Sequence, residues 1–95
     1  MEEIQTGQKG SIKNTKGIVS LKEDIRKIIL TDRRVKRCSD IDFMMIGDRY
    51  NLSLTCHFDR QKTLEDVHQI ISGLEAKIYK EFKEIRRVMI HAEPL

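Results

Sequence analysis

The sequence predicts an α+β fold, a two-layer sandwich in the order α-β-β-α-β with one sheet face left open. Three observations predict it. Residues Tyr50 to Asp59 alternate apolar and polar without interruption, the pattern of a strand with one packed and one polar face. Two stretches with apolar residues at helical spacing lie before and after the strand-like region, and each needs an apolar sheet face to cover. Gly47, Asp48 and Arg49 separate two strand-like runs and give the turn signal of a hairpin.

In chain order, residues 1–17 are polar, hold three of the five glycines and keep no sustained period. They read as a flexible arm or linker, with the folded unit spanning 18–95. Ser20 and Glu23 have the spacing of a capping box, so a first helix is expected to open at Ser20. It runs to about Leu30 on a stripe of Leu21, Ile25, Ile28 and Ile29. From Arg37 the period changes to two: Ile41, Phe43 and Met45 point one way, Asp42, Met44 and Ile46 the other. The return strand packs Tyr50, Leu52, Leu54, Cys56 and Phe58 and leaves Asn51, Ser53, Thr55, His57 and Asp59 on the polar side. Thr63 can cap a second helix, with Glu65 and Asp66 near its positive end. Its stripe is Val67, Ile71, Leu74, Ile78 and Phe82. A last strand over Arg87–Ala92 turns Val88, Ile90 and Ala92 inward and Met89, His91 and Glu93 toward the open face.

Composition bounds what such a domain does. The chain has 95 residues, enough for one modest core, and with 5% aromatics and no Trp that core is aliphatic. No run approaches the roughly 20 apolar residues of a membrane span, and the N-terminus lacks the apolar centre of a signal peptide. The net charge of +3 is mild, and the basic groups Arg33 to Arg37 and Arg86, Arg87 are interleaved with acidic residues. A nucleic-acid footprint calls for a denser stripe with aromatic platforms. Cys38 and Cys56 are too few for a disulfide framework and form no C-x-x-C pair, which points to a reduced, cytoplasmic setting.

The residues able to carry chemistry are the three histidines and nearby carboxylates. His57 and His91 fall on the open face with Glu93 and Asp59, a nitrogen and oxygen set suited to zinc or a similar divalent ion. His91 and Glu93 share a strand face at i, i+2. His68 lies near the start of the second helix, in the opposite layer, where a second protomer is needed to bring it to His91. The bland readings stand beside these: solvated strand and helix histidines, and Asp40 and Asp42 as solubility charges. Met44 and Met89 are packing residues or an apolar contact patch. No nucleophile elbow or phosphate loop is present, and Cys56 and His57, adjacent on a strand, point to opposite faces. The sequence does not read as an enzyme.

The segment Val35–Ile70, VKRCSDIDFMMIGDRYNLSLTCHFDRQKTLEDVHQI, followed by the VMIHAEP ending, resembles the cytoplasmic C-terminal domain of the cation diffusion facilitators, the zinc, iron and manganese efflux transporters. The likeness runs from about Leu21 to Pro94 and lies in the order of its motifs: a helix, an aspartate-bearing first strand, a G-D-R turn, an alternating strand, an acidic helix start with histidine, and a terminal H-x-E-P. It implies a ferredoxin-like, metallochaperone-like fold that forms a homodimer on the cytoplasmic side of the membrane. It also implies a transmembrane transporter domain, upstream or separate, whose activity responds to metal bound at or between the two copies. Matched residue by residue, the implied metal ligands are His68, His91, Glu93 and Asp40.

Two positions depart from the family pattern. Ser39 stands where the family often has histidine, and Thr55 falls where its strand histidine is usual. His57 shares a face with Thr55 and can substitute by a two-residue shift. The resemblance therefore implies anything from one divalent ion, zinc first with iron or manganese as alternatives, down to none. Two other readings remain: a small basic nucleic-acid-binding domain using Arg33, Arg34, Lys36, Arg37, Arg86 and Arg87, and a metal-independent dimerisation module.

Overall fold

The order helix-strand-strand-helix-strand is the one the periodicity predicts. The computed structural model describes residues 15–95, so residues 1–14 and most of the expected arm lie outside it. The elements are α1 (Thr15–Leu30), β1 (Val35–Ile46), β2 (Arg49–Phe58), α2 (Leu64–Glu81) and β3 (Ile85–Pro94). The sheet order is β1-β2-β3, with β1 antiparallel and β3 parallel to β2. Both helices cover one face of this ferredoxin-like sheet and leave the other open.

Helix α1 begins earlier than its capping box suggests. Ser20 is an exposed residue inside the helix, not its cap. The half-buried Ile18 adds a member to the buried stripe of Leu21, Ile25 and Ile29, and in proteins that packing governs helix extent more than local caps do. The helix ends where Thr31 turns back, its hydroxyl donating to the Ile28 carbonyl at 2.6 Å. Asp32 then accepts from the Arg34 amide at 3.0 Å and pairs with the Arg34 guanidinium at 2.7 Å. Helix α2 opens as expected: the Thr63 hydroxyl accepts from the Asp66 amide at 3.1 Å. Its buried line is Ile70, Leu74 and Ile78, with Val67, Ile71 and Phe82 packed at the margins. Leu74 and Ile78 are buried as predicted, while Ile70 takes the buried place the prediction gave to Ile71.

The strands hold three irregularities that simple alternation misses. In β1 the pairing slips by one residue between Val35 and Arg37 and again between Ser39 and Asp42. Each slip inserts an unpaired residue and swaps the faces. That is why Val35, Cys38 and Ile41, spaced by three, are all buried. The second slip contains Asp40 with φ of 55°, a left-handed value that Asp tolerates better than most residues. A third slip between Tyr50 and Asn51 of the β2–β3 ladder makes Ile85, like Val88, a core residue and starts β3 two residues before Arg87. Tyr79 of α2 ties this edge strand down, its hydroxyl accepting from the Val88 amide at 2.9 Å. The C-terminus is also paired: Pro94 has no amide proton, and the Leu95 amide donates to the Phe58 carbonyl at 2.9 Å.

Three stability effects follow, all measured by denaturant unfolding. Ile78→Ala, which empties a fully buried site under both layers, is expected to cost about 2–5 kcal/mol. Thr63→Ala is expected to cost about 1 kcal/mol through the lost cap. The Arg34 side-chain hydrogen bonds hold the Asp32 carboxyl down from 3.8 to about 2. A depressed carboxyl contributes its stability above the unfolded value and loses it as pH falls through the folded one. The stability gap between wild type and Asp32→Asn is therefore present above about pH 4 and closes toward about pH 2.

Candidate metal centre on the open sheet face

Register decides what meets what on the open face. Reading across β1, β2 and β3 from the hairpin end, the rows are Met44, Asn51 and Arg87, then Asp42, Ser53 and Met89. Next come Ser39, Thr55 and His91, and last Arg37, His57 and Glu93. The terminal pair His91 and Glu93 thus lies beside Thr55 and His57, as the face assignment predicted. The apolar residues gather in the first two rows, where Met44 is 64% and Met89 55% exposed.

Within the last two rows one contact stands out. The Ser39 hydroxyl lies 3.0 Å from His57 Nε2, a hydrogen bond whose direction depends on the imidazole tautomer. The Ser39 hydroxyl also reaches the Asp40 carboxylate at 3.4 Å. Ser39 therefore stands between His57 and Asp40, and it is the bulge at Asp40 that turns Ser39 to the open side. Thr55, central in the sheet between Ser39 and His91, is the one polar residue among the described residues that is buried, at 8% exposure. Sequence reasoning treated Ser39 and Thr55 as lost ligand positions and did not foresee Ser39 as the partner of His57. The three-residue spacing of Cys38 and Ile41 was the signal of the bulge that creates the contact.

His68 lies elsewhere. It is exposed on α2, beside Leu64, in the layer that covers the opposite face of the sheet. Among the described residues no group of three or more His, Cys, Asp and Glu side chains is close enough to hold a metal ion. One chain therefore presents a partial donor set of His57, His91, Asp40 and Glu93, with the guanidinium-bearing Arg37 opposite His57. The set has the right chemistry for a borderline divalent ion and lacks the convergence for one.

The basic residues do not form a stripe. Arg33, Arg34 and Lys36 gather with Lys62, Asp59 and Asp66 in a shallow concavity at the end where α1 finishes and α2 starts. Arg86 and Arg87 open β3 at the hairpin end, where Arg86 donates to the Asn51 side chain at 3.2 Å. The length of β2, roughly 30 Å for a strand of this size, separates the two groups. No helix among the described residues is long and apolar enough to cross a membrane.

Comparison with known proteins agrees with this architecture. Residues 20–95 match the family described as cation efflux protein, cytoplasmic domain. Among solved structures the chain is similar to the metal-bound C-terminal domain of the CzcD transporter from Thermotoga maritima. The TM-score is 0.81 at 18% identity, over 85% of this chain and 94% of that one. It is similar to the cytosolic domain of a cation diffusion facilitator family protein, with TM-score 0.81 at 20% identity over 86% and 98% of the two chains. It is also similar to a MamM C-terminal domain variant in a copper form, with TM-score 0.77 at 15% identity over 82% and 98%. No curated protein sequence matches the chain.

Three substitutions test the geometry of this face. Asp40→Gly is expected to leave unfolding stability within about 0.5 kcal/mol, because glycine reaches a positive φ freely. Asp40→Val is expected to cost about 1–2 kcal/mol, since its Cβ crowds the left-handed backbone. Ser39→Ala is expected to shift the His57 imidazole nitrogen resonances in a proton–nitrogen correlation spectrum and to leave those of His68 in place.

Proposed function

Because the chain belongs to the family of cation efflux protein cytoplasmic domains, we propose that residues 18–95 act as a dimeric, metal-responsive regulatory domain of a divalent cation efflux transporter. The sequence ahead of α1 then serves as the arm toward the membrane-spanning transport domain, which lies upstream or on a separate chain. Zinc is the first choice of ion, with iron or manganese as alternatives. The family is the cytoplasmic part of a transporter, not an enzyme class, and a binding and regulatory role accords with that.

The observation that carries the reading is the Ser39–His57–Asp40 cluster lying in register with His91 and Glu93 on a face that the helices leave uncovered. His57 and His91 offer imidazole nitrogen donors, and Asp40 and Glu93 offer oxygen donors. Since these donors do not converge within one chain, the ion is held at or between two copies. His68 of a second copy is then available from its exposed position on α2. Met44 and Met89 supply apolar contact in the rows nearer the hairpin. The Thermotoga maritima domain is described as metal-bound and the MamM variant as a copper form, which supports metal binding by this fold.

Thermal unfolding with added ions tests the reading. Zn²⁺ that binds only the native form stabilises it by about 2.7 kcal/mol at a hundred times its dissociation constant, and His91→Ala is expected to abolish most of that shift. If saturating Zn²⁺, Mn²⁺ and Fe²⁺ all leave the unfolding curve unmoved, the metal part fails and a dimerisation module remains. If His91→Ala keeps the full shift, the assignment of the ligands is wrong.

A further inference from the structure

The two cysteines, on the face opposite the candidate metal residues, are brought together by the fold in a way the function does not use. Cys38 and Cys56 are directly opposite partners in the antiparallel β1–β2 ladder. Both side chains are buried on the core face, at 7% and 0% exposure, and both are free thiols. Opposed residues in such a ladder have Cα atoms roughly 4.5–5.5 Å apart, inside the range of roughly 4.4–6.8 Å that a disulfide spans. The first β1 bulge is what puts Cys38 on the core side, three residues after the buried Val35.

We propose that Cys38 and Cys56 form a reversible cross-strand disulfide site, closed by a small peroxide and opened by thiol reductants. Cys38 is the less buried of the two, 7% against 0% exposed, so a peroxide reaches it first: Cys38 is the nucleophile and Cys56 the resolving thiol. The Cys38 sulfur attacks one peroxide oxygen, breaking the O–O bond, becoming a sulfenic acid and releasing the other oxygen as water. The Cys56 sulfur then forms the S–S bond and expels the sulfenic oxygen as a second water. Two thiol hydrogens and two electrons pass to the peroxide, so hydrogen peroxide and two thiols give one disulfide and two waters.

A bond in a cytoplasmic family that joins directly opposed strands belongs with labile, redox-sensing disulfides and not with permanent staples. Its place matters. On β1 it precedes Ser39, and on β2 it lies between Thr55 and His57, so it fixes the β1–β2 register immediately beneath the open-face cluster. The second β1 bulge, at Asp40, is the part of the ladder the bond restrains.

The test is peroxide treatment of the full chain, followed by intact mass, thiol counting in denaturant and amide hydrogen exchange. The expected product has lost two hydrogens, shows no titratable thiol, remains monomeric in chain length on a non-reducing gel, and recovers both thiols with dithiothreitol. Exchange of the Arg37–Asp42 amides slows in the oxidised form. Cys56→Ala, which lacks the resolving thiol, accumulates oxygen on Cys38 or stays unmodified; the same two-hydrogen loss in that variant overturns the pairing. Wild type that keeps two free thiols after treatment, or that gives only chains linked to one another, overturns the site. Unchanged exchange beside a formed disulfide overturns its effect on the bulge.

Discussion

Strand β2 is paired along both edges, antiparallel to β1 on one side and parallel to β3 on the other. A strand held in this way cannot rotate, so the alternation of its side chains is a fixed division of the molecule into two faces. Leu52, Leu54, Cys56 and Phe58 are nearly inaccessible and receive both helices. Ser53, Thr55 and His57 must then face the uncovered side. A slip of one residue along either ladder would carry His57 into the aliphatic core and Leu54 into water. The same core that makes the domain stable therefore makes the open-face donors stay where they are.

The outer strands obey this division only by breaking their own regularity. Beta-1 carries two bulges and β3 one, and each swaps the outward residues of its strand. The bulge at Asp40 turns the Ser39 hydroxyl to the face of His57, where it bridges the imidazole and the Asp40 carboxylate. The domain can thus present acidic, hydroxyl and imidazole groups side by side without burying any of them beneath the helices. Arg37, opposite His57, places a cation in the same row.

What the amino-acid order made legible follows the strength of each local signal. The ten-residue alternation of β2 and the threonine cap of α2 were readable because pattern and tertiary burial agree there. The placing of His91 and Glu93 on the open face followed from the same rule. The start of α1 was not readable, because Ser20 and Glu23 imitate a cap while Ile18 continues the buried stripe above them. The faces of β1 from Ile41 to Met44 were readable; Ile85 and the bulged stretch before Ile41 were not, because a bulge leaves no residue-type signature when its extra member is a charged residue instead of glycine. The Ser39–His57 contact depends on the β1 bulge at Asp40, to which only the three-residue spacing of Cys38 and Ile41 pointed. His68 was placed correctly in the opposite layer, and no reading of one chain joins it to the others.

The central proposal is a dimer that responds to metal held at the open face, and the response is read as a change in how the two copies sit together. Distance measurement between spin labels, one on each copy at an exposed α2 position such as Gln69, tests it most directly. The account predicts that Zn²⁺ shortens and narrows the distance distribution and that chelation restores the original one. A distribution that stays the same from metal-free solution to saturating Zn²⁺, with the dimer intact throughout, would contradict it.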